Sequence, residues 1–521
     1  MIHYSTLLLL SILLLFQHKS YAQKKSISKE RIHQLDSIAN KQQQIEFEFQ
    51  ENRKQQIAKL MAESKIKFNQ DYSDKRRDEY RLRKQTEKNS RDSIARIHYD
   101  SMLTFNNLED SSQIKFDNAT YTSIPEKFLE STKLDSLDFS SNKLSQLNSK
   151  IYQIPSLKKL VISHNKLDQK TLNIKKNISI TSLDLSHNSL TALPKKLKKL
   201  RKLKSLKLSY NKLGTSQKKI KFKKMKSLEH LDLSYNELNA IPKGLHKLPK
   251  LKSLVLSKNN ITSLKGIEKL DGLKELEISF NIVFPDPRYL SGLANLEKLT
   301  MHKCGLIYLP PEIEKLQTLK KLVLPENRLS ALPAEIGKLW QLENLMVYKN
   351  QLTAVPVELY NLKNLLWLDI YYNEIGHLDE GISNLSKLEI LYLSHNKLKV
   401  LPEALGQMTD LKELYAHHNN IRAIDDFSQL TKLKVLHLSH NNITDFPESI
   451  LTLTQLKELD LAHNLITEFP YEIRNLINLH FIYLDNNQTD MRSYAYEQQK
   501  MAMKALMDLG INIRFDMPSN N

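Results

Sequence analysis

Histidine is the residue type in this chain best suited to chemistry, and its spacing is regular. His395, His418, His440 and His463 recur at intervals of 22 or 23 residues, with His417 and His437 close by. Imidazole can hold a divalent metal or move a proton near neutral pH, and strands about 4.8 Å apart could bring two such rings to one ion. The phrase S-H-N that carries His395 and His440 also occurs at His164 and His187, however, and no pattern of carboxylates completes a ligand set. The expectation is therefore no metal and no cofactor. Cys304, the only thiol, stands where most neighbouring segments place asparagine, so it reads as a small buried filler in place of a nucleophile. There is no G-x-x-x-x-G-K-[ST] phosphate loop and no hydrolase or ligase constellation, and no catalytic residue is expected.

Two other groups are suited to binding. Tyr348, Trp367, Tyr371, Tyr372, Tyr392, Tyr415, His417, His437 and Tyr483 fall at positions that a strand would turn outward, where the first half of the chain has mostly Ser, Asp and Lys. Aromatic residues at such positions often anchor partners, although they also stack across neighbouring strands. The second group is basic: LPKKLKKLRKLKSLKL contains Lys195, Lys196, Lys198, Lys199, Arg201 and Lys202. Between Lys150 and Lys226, 22 lysines and arginines face only Asp168 and Asp184, a formal +20 within a chain whose total is +19. Phosphate-bearing lipid or acidic glycan fits that charge better than nucleic acid if the chain is exported, for which the N-terminal residues argue; a solvated face that aids solubility is the alternative.

These residues are positioned by a repeat. LDSLDFSSNKL at 134–144, LKKLVISHNKL at 157–167 and ITSLDLSHNSL at 180–190 share the template L-x-x-L-x-L-x-x-N-x-L, which continues to LKELDLAHNLI and a degraded LHFIYLDNNQT. Sixteen units follow one another, almost all 23 residues apart, preceded by a partial unit with Ile114, Phe116, Tyr121, Ile124 and Pro125 in phase. A second motif recurs between them, as in IPKGLHKL, LPAEIGKL and VPVELYNL. Alternating L-x-L makes a short strand with leucines inward, and stacked units make a parallel sheet. The asparagine at position nine can satisfy backbone groups of adjacent turns, and proline sets the first residue of a turn or short helix on the outer side. Chance does not hold such a phase for so long.

Over about residues 111–490 the chain resembles leucine-rich repeat proteins, in particular the 23-residue group with L-P-x-x-I connectors seen in Ras-suppressor and Scribble-like scaffolds. The resemblance implies an α/β fold, a curved horseshoe solenoid with a parallel sheet on the concave face, acting as a binding surface. Cys304 would then be a known substitute at the asparagine position. Units after Ile261, Ile375 and Ile421 lack the proline, SQKKIKFKK stretches one unit, and cysteine-rich caps are absent.

The flanks differ in composition. Leu7 to Phe16 is apolar apart from Ser11 and is followed by Ser20-Tyr21-Ala22, the pattern of a signal peptide spanning 1–22 and too short to span a bilayer. Residues 23–110 are rich in Gln, Glu, Lys and Arg with no proline or glycine, and read as a charged helical or partly disordered extension, with a coiled-coil-like stretch at 23–70 that could self-associate. Residues 491–521 read as a cap: an amphipathic helix and a last strand, INIRF. A single cysteine allows no intrachain disulfide, which suits a bacterial exported protein. The reading is a non-catalytic binding protein of the cell envelope or exterior, periplasmic, surface-bound or secreted, that takes a protein or glycan on its concave face. The alternative is a cytoplasmic signalling scaffold of the Ras-suppressor type.

Overall fold

The computed structural model describes residues 112–516 except 117–119, 195, 216–221, 223–224, 284–285, 291 and 491. The signal peptide expected at 1–22, the extension expected at 23–110 with its coiled-coil-like stretch, and Lys195 lie outside the described residues.

Positions three to five of each unit form a strand of three residues, as in Ser136–Asp138, Asn344–Met346 and Trp367–Asp369. Eighteen strands are described, and they form one parallel sheet. Each strand pairs with the strand of the next unit, leucine opposite leucine, as along Leu345, Leu368, Leu391 and Leu414. Gln113–Lys115 opens the series and Asn512–Arg514 closes it. The inward side chains make one continuous core: Leu365, Leu368, Ile370 and Ile375 of a single unit are all fully buried. Each such side chain contributes about 1.5–3 kcal/mol of burial. The strands stack more tightly than the outer elements, so the solenoid curves with the sheet on its concave face.

Asparagine at position nine holds each turn to the one before it. The Asn396 amide donates to the carbonyls of Ile370 at 3.0 Å and Leu393 at 2.8 Å, while its oxygen accepts from the Ile375 N–H at 3.0 Å. The residue just before this ninth position, Asn in all units but that of Cys304, is left-handed in every unit. From Ser141 to Asn486, all sixteen eighth positions have φ between 50° and 58°, and none is glycine. A left-handed residue with a Cβ costs roughly 1–2 kcal/mol, a strain held by the asparagine bonds that follow it.

On the outer side the L-P-x-x-I motif folds into 3-10 helices such as Ala334–Lys338 and Val357–Asn361. Proline precedes the helix, at Pro333 and Pro356, where its fixed φ suits the extended residue before the first turn. Two units without proline use other devices: Gly266 adopts φ 107°, and the Asp379 carboxylate accepts from the Gly381 N–H at 2.8 Å. After Asn487 comes the helix Tyr494–Asp508, whose first turn is capped by Ser493 accepting from the Tyr496 N–H. It buries Tyr496, Ala502, Met503 and Leu506 against the last 3-10 helix, Tyr471–Asn475. No helix among the described residues is long and apolar enough to cross a membrane.

Candidate functional site

The strand register brings the aromatic residues of the later units into two connected groups. Trp367, Tyr392, Tyr415 and His437 occupy positions three and five of four neighbouring units. Their ring centroids lie 5.8, 4.4 and 5.0 Å apart in that order, with Tyr392 and Tyr415 stacked. Tyr371, Tyr372, His395, His417 and His418 form the second group from positions seven and eight, with Tyr371 5.2 Å and Tyr372 5.3 Å from His395. Tyr348 lies one unit before Tyr371, and Tyr483 lies on the strand Phe481–Tyr483, paired with the last strand.

The outward positions do not make these rings individually exposed. Tyr348, Tyr371, Tyr392, Tyr415 and His417 are only 8, 7, 8, 4 and 5% exposed, whereas Tyr372 is 44% exposed and Trp367 and His437 are half-buried. The neighbouring rings cover much of one another, as cross-strand stacking would have it. Burial raises the Tyr371 hydroxyl to about 12 and holds the Tyr415 hydroxyl far above its ordinary value, so both stay protonated. Tyr415 Oη donates to the Glu413 carboxylate at 2.8 Å, and His437 Nε2 lies 3.5 Å from Glu458. Trp367 Nε1 is buried and finds no acceptor among the described residues, a deficit that costs about 1–3 kcal/mol.

A column of which the sequence reading caught only the histidines runs along the C-terminal edge of the sheet, at the left-handed eighth positions. In the first half, His164, His187, Tyr210 and Tyr235 follow one another with centroids 3.7, 3.9 and 3.7 Å apart. Lys258 then places its ammonium 3.4 Å from the Phe280 ring centroid. Tyr210 and Tyr235 are 41 and 38% exposed; the hydrogen bond between their hydroxyls raises Tyr210 to about 12. A groove of about 700 Å³ opens beside Tyr210, Tyr235, Lys258 and Phe280. The signal was available in the eighth letters of successive units, which read S-H-H-Y-Y-K-F.

In the second half the same column holds His395, His418, His440 and His463, with stacking distances of 4.2, 4.1 and 4.1 Å. Burial lowers His395 to about 4 and His418 to about 3, and takes His417 well below its ordinary value. These rings are neutral at pH 7 and keep a lone pair. Strand spacing alone suggested two rings near one another; the structure places ring nitrogens of three, His395, His417 and His418, within 4.8 Å.

Cys304 sits in the asparagine ladder. Its thiol lies 3.3 Å from the Ile278 carbonyl, toward which it donates, and the Val283 N–H, which elsewhere would reach an asparagine oxygen, bonds to the Cys304 carbonyl at 3.1 Å. Burial pushes the thiol up to about 11, which leaves little thiolate for nucleophilic work. In the basic stretch, Leu197, Leu200, Leu203, Leu206 and Leu208 are buried in the core, so this segment is not a free amphipathic helix. Lys196, Lys198, Lys199, Arg201 and Lys202 are exposed around the 3-10 helix Leu197–Lys199. Among the described residues, none of these five makes a salt bridge.

A parallel sheet of short strands, an asparagine ladder and outer 3-10 helices define a leucine-rich repeat solenoid, a class whose members work mostly by what they hold. The family description "leucine-rich repeat region" matches residues 345–441, and "leucine rich repeat" matches 179–200, 215–261 and 431–488. The solved structure of a leucine-rich repeat protein of Leptospira interrogans is 30% identical, with a TM-score of 0.66, covering 78% of this chain and 97% of that one. The chain belongs to the leucine-rich repeat family. Two further structures share the fold. Drosophila Toll, in its complex with Spatzle, is 22% identical over 73% of this chain and 54% of that one, with a TM-score of 0.61. An internalin of Listeria monocytogenes is 22% identical over 63% of this chain and 84% of that one, with a TM-score of 0.50. No curated protein matches the chain.

Proposed function

We propose that this protein acts without catalysis as a binding protein of the cell envelope or exterior, holding a protein or glycan on its concave face between Tyr348 and His437. The observation that carries this reading is Trp367. It stands half-buried at the head of a stacked aromatic run, with an indole N–H that lacks an acceptor among the described residues. The part of the ring left exposed would pack against a bound partner, and indole anchors of this kind dominate binding energy. The Leu7–Phe16 apolar run and Ser20-Tyr21-Ala22 support export.

The test is affinity capture from native cell envelopes with the full chain and with Trp367→Ala, followed by protease or glycosidase treatment of the captured material to tell protein from glycan. Loss of one or more partners is expected from a variant that still folds cooperatively, with the melting temperature lowered only by the lost ring contact. Capture of every partner by the variant would sink the proposal. Identification of Gln23 as the mature N-terminus separates the exported protein from an intracellular scaffold of the Ras-suppressor type, which the L-P-x-x-I connectors would otherwise suit. The basic segment at 150–226 supports a second contact, with an anionic lipid or glycan phosphate surface.

A further inference from the structure

His417 and His418 are adjacent in sequence, and in a regular strand their side chains would leave opposite faces. The left-handed φ of 54° at His418 breaks that alternation. The two Nδ1 atoms consequently lie 3.0 Å apart, and His395, one unit earlier, adds a third nitrogen, with all three within 4.8 Å. Two imidazole nitrogens each about 2.1 Å from one first-row ion stand roughly 3.0–3.4 Å apart, so the observed separation is already that of a ligand pair. The rings are also held in place: His395 stacks on His418 at 4.2 Å, and His440 covers the next unit's side at 4.1 Å. Among the described residues, no carboxylate or thiolate belongs to the cluster. An all-imidazole set suits Zn²⁺, Cu²⁺ or Ni²⁺ and disfavours Mg²⁺ and Ca²⁺.

We propose that His395, His417 and His418 form a binding site for one borderline divalent cation, Zn²⁺ or Cu²⁺, with a coordination position left for water or for a side chain of a bound partner. The competing account of the 3.0 Å separation is a hydrogen bond between two neutral imidazoles, which needs no ion.

The full chain, stripped with a chelator and dialysed, would be titrated with Zn²⁺ by calorimetry and with Cu²⁺ by electron paramagnetic resonance. Stoichiometric binding, nitrogen hyperfine structure on the copper signal and a rise in melting temperature with Zn²⁺ are expected. His395→Asn and His418→Asn, chosen because asparagine tolerates the left-handed conformation, should each weaken binding by roughly tenfold or more. His463→Asn, in the same column but outside the cluster, should leave it unchanged. Absence of binding below millimolar Zn²⁺ and Cu²⁺ overturns the proposal, as does affinity unaffected by the first two variants or equally reduced by the third. Should the variants fold poorly by circular dichroism, the unmodified chain still decides: neither a melting shift nor nitrogen coupling means that only the hydrogen bond is present.

Discussion

Replacing Asn396 tests the idea that the ladder holds the left-handed turn in place. Its side chain is 8% exposed and makes three well-formed bonds, from the Ile375 N–H at 3.0 Å and to the carbonyls of Ile370 at 3.0 Å and Leu393 at 2.8 Å. At about 1 kcal/mol per bond, Asn396→Ala should cost roughly 3 kcal/mol, rising toward about 5 because the Ile375 N–H is left buried without an acceptor. Asn396→Cys should cost about half as much. At Cys304 a thiol already supplies the donor, and the backbone carbonyl of the same residue takes over as acceptor for Val283. Urea unfolding reports this directly, since the only two tryptophans, Trp367 and Trp340, lie one and three units before that of Asn396. Units contact mainly their neighbours, so hydrogen exchange should accelerate first at Ile375 and not at the far end of the array. A loss below about 1 kcal/mol for Asn396→Ala, or equal losses for alanine and cysteine, would refute the reasoning.

Three other outcomes follow from the same geometry. Cys304 should resist disulfide reagents at pH 8 until the chain unfolds. Its folded thiol value of about 11 exceeds the ordinary 9.0, so its contribution to stability is complete below pH 9 and is lost as pH rises through 11. The urea midpoint should fall across that window, and the part due to the thiol should vanish in Cys304→Asn. Tyr392→Ala should cost about 0.5–1.5 kcal/mol beyond its lost burial because it breaks the stack with Tyr415; the melting temperature measures it, and no change would mean the rings merely coexist. Replacing Lys196, Lys198, Lys199, Arg201 and Lys202 with glutamine should abolish binding to anionic vesicles at low salt. Attachment of the unmodified chain that persists at high salt would contradict an electrostatic contact.

The repeating elements were readable because each inward leucine and each asparagine occupies a position defined by the period. Leu368 and Asn373 could be placed in core and ladder before any coordinates, and Cys304 could be placed beside them. Exposure was harder. Position within a strand says which way Tyr392 and Tyr415 leave the backbone, but not that their rings lie 4.4 Å apart and bury each other. Handedness was not legible at all. The eighth position holds Ser, His, Tyr, Lys, Phe, Glu and Asn in different units, yet all adopt positive φ, because the ladder bonds at the following position, made by asparagine or, after Lys303, by Cys304, fix the turn and the side chain does not. That hidden constraint is also why the Tyr210–Tyr235 column and the convergence of His417 with His418 escaped a reading based on strand alternation.

Strand registry that runs only from each unit to the next also gives the protein a mechanical character. Among the described residues a force applied along the stack meets no long-range brace: the ladder bonds, one short strand pairing and the apolar packing of the loaded unit on its neighbour carry it before the next unit is strained. Pulled from its ends, the array should uncoil like thread leaving a spool, in steps of about 80 Å for a 23-residue unit. Its grip on a partner spanning several units would then fail gradually, one contact at a time.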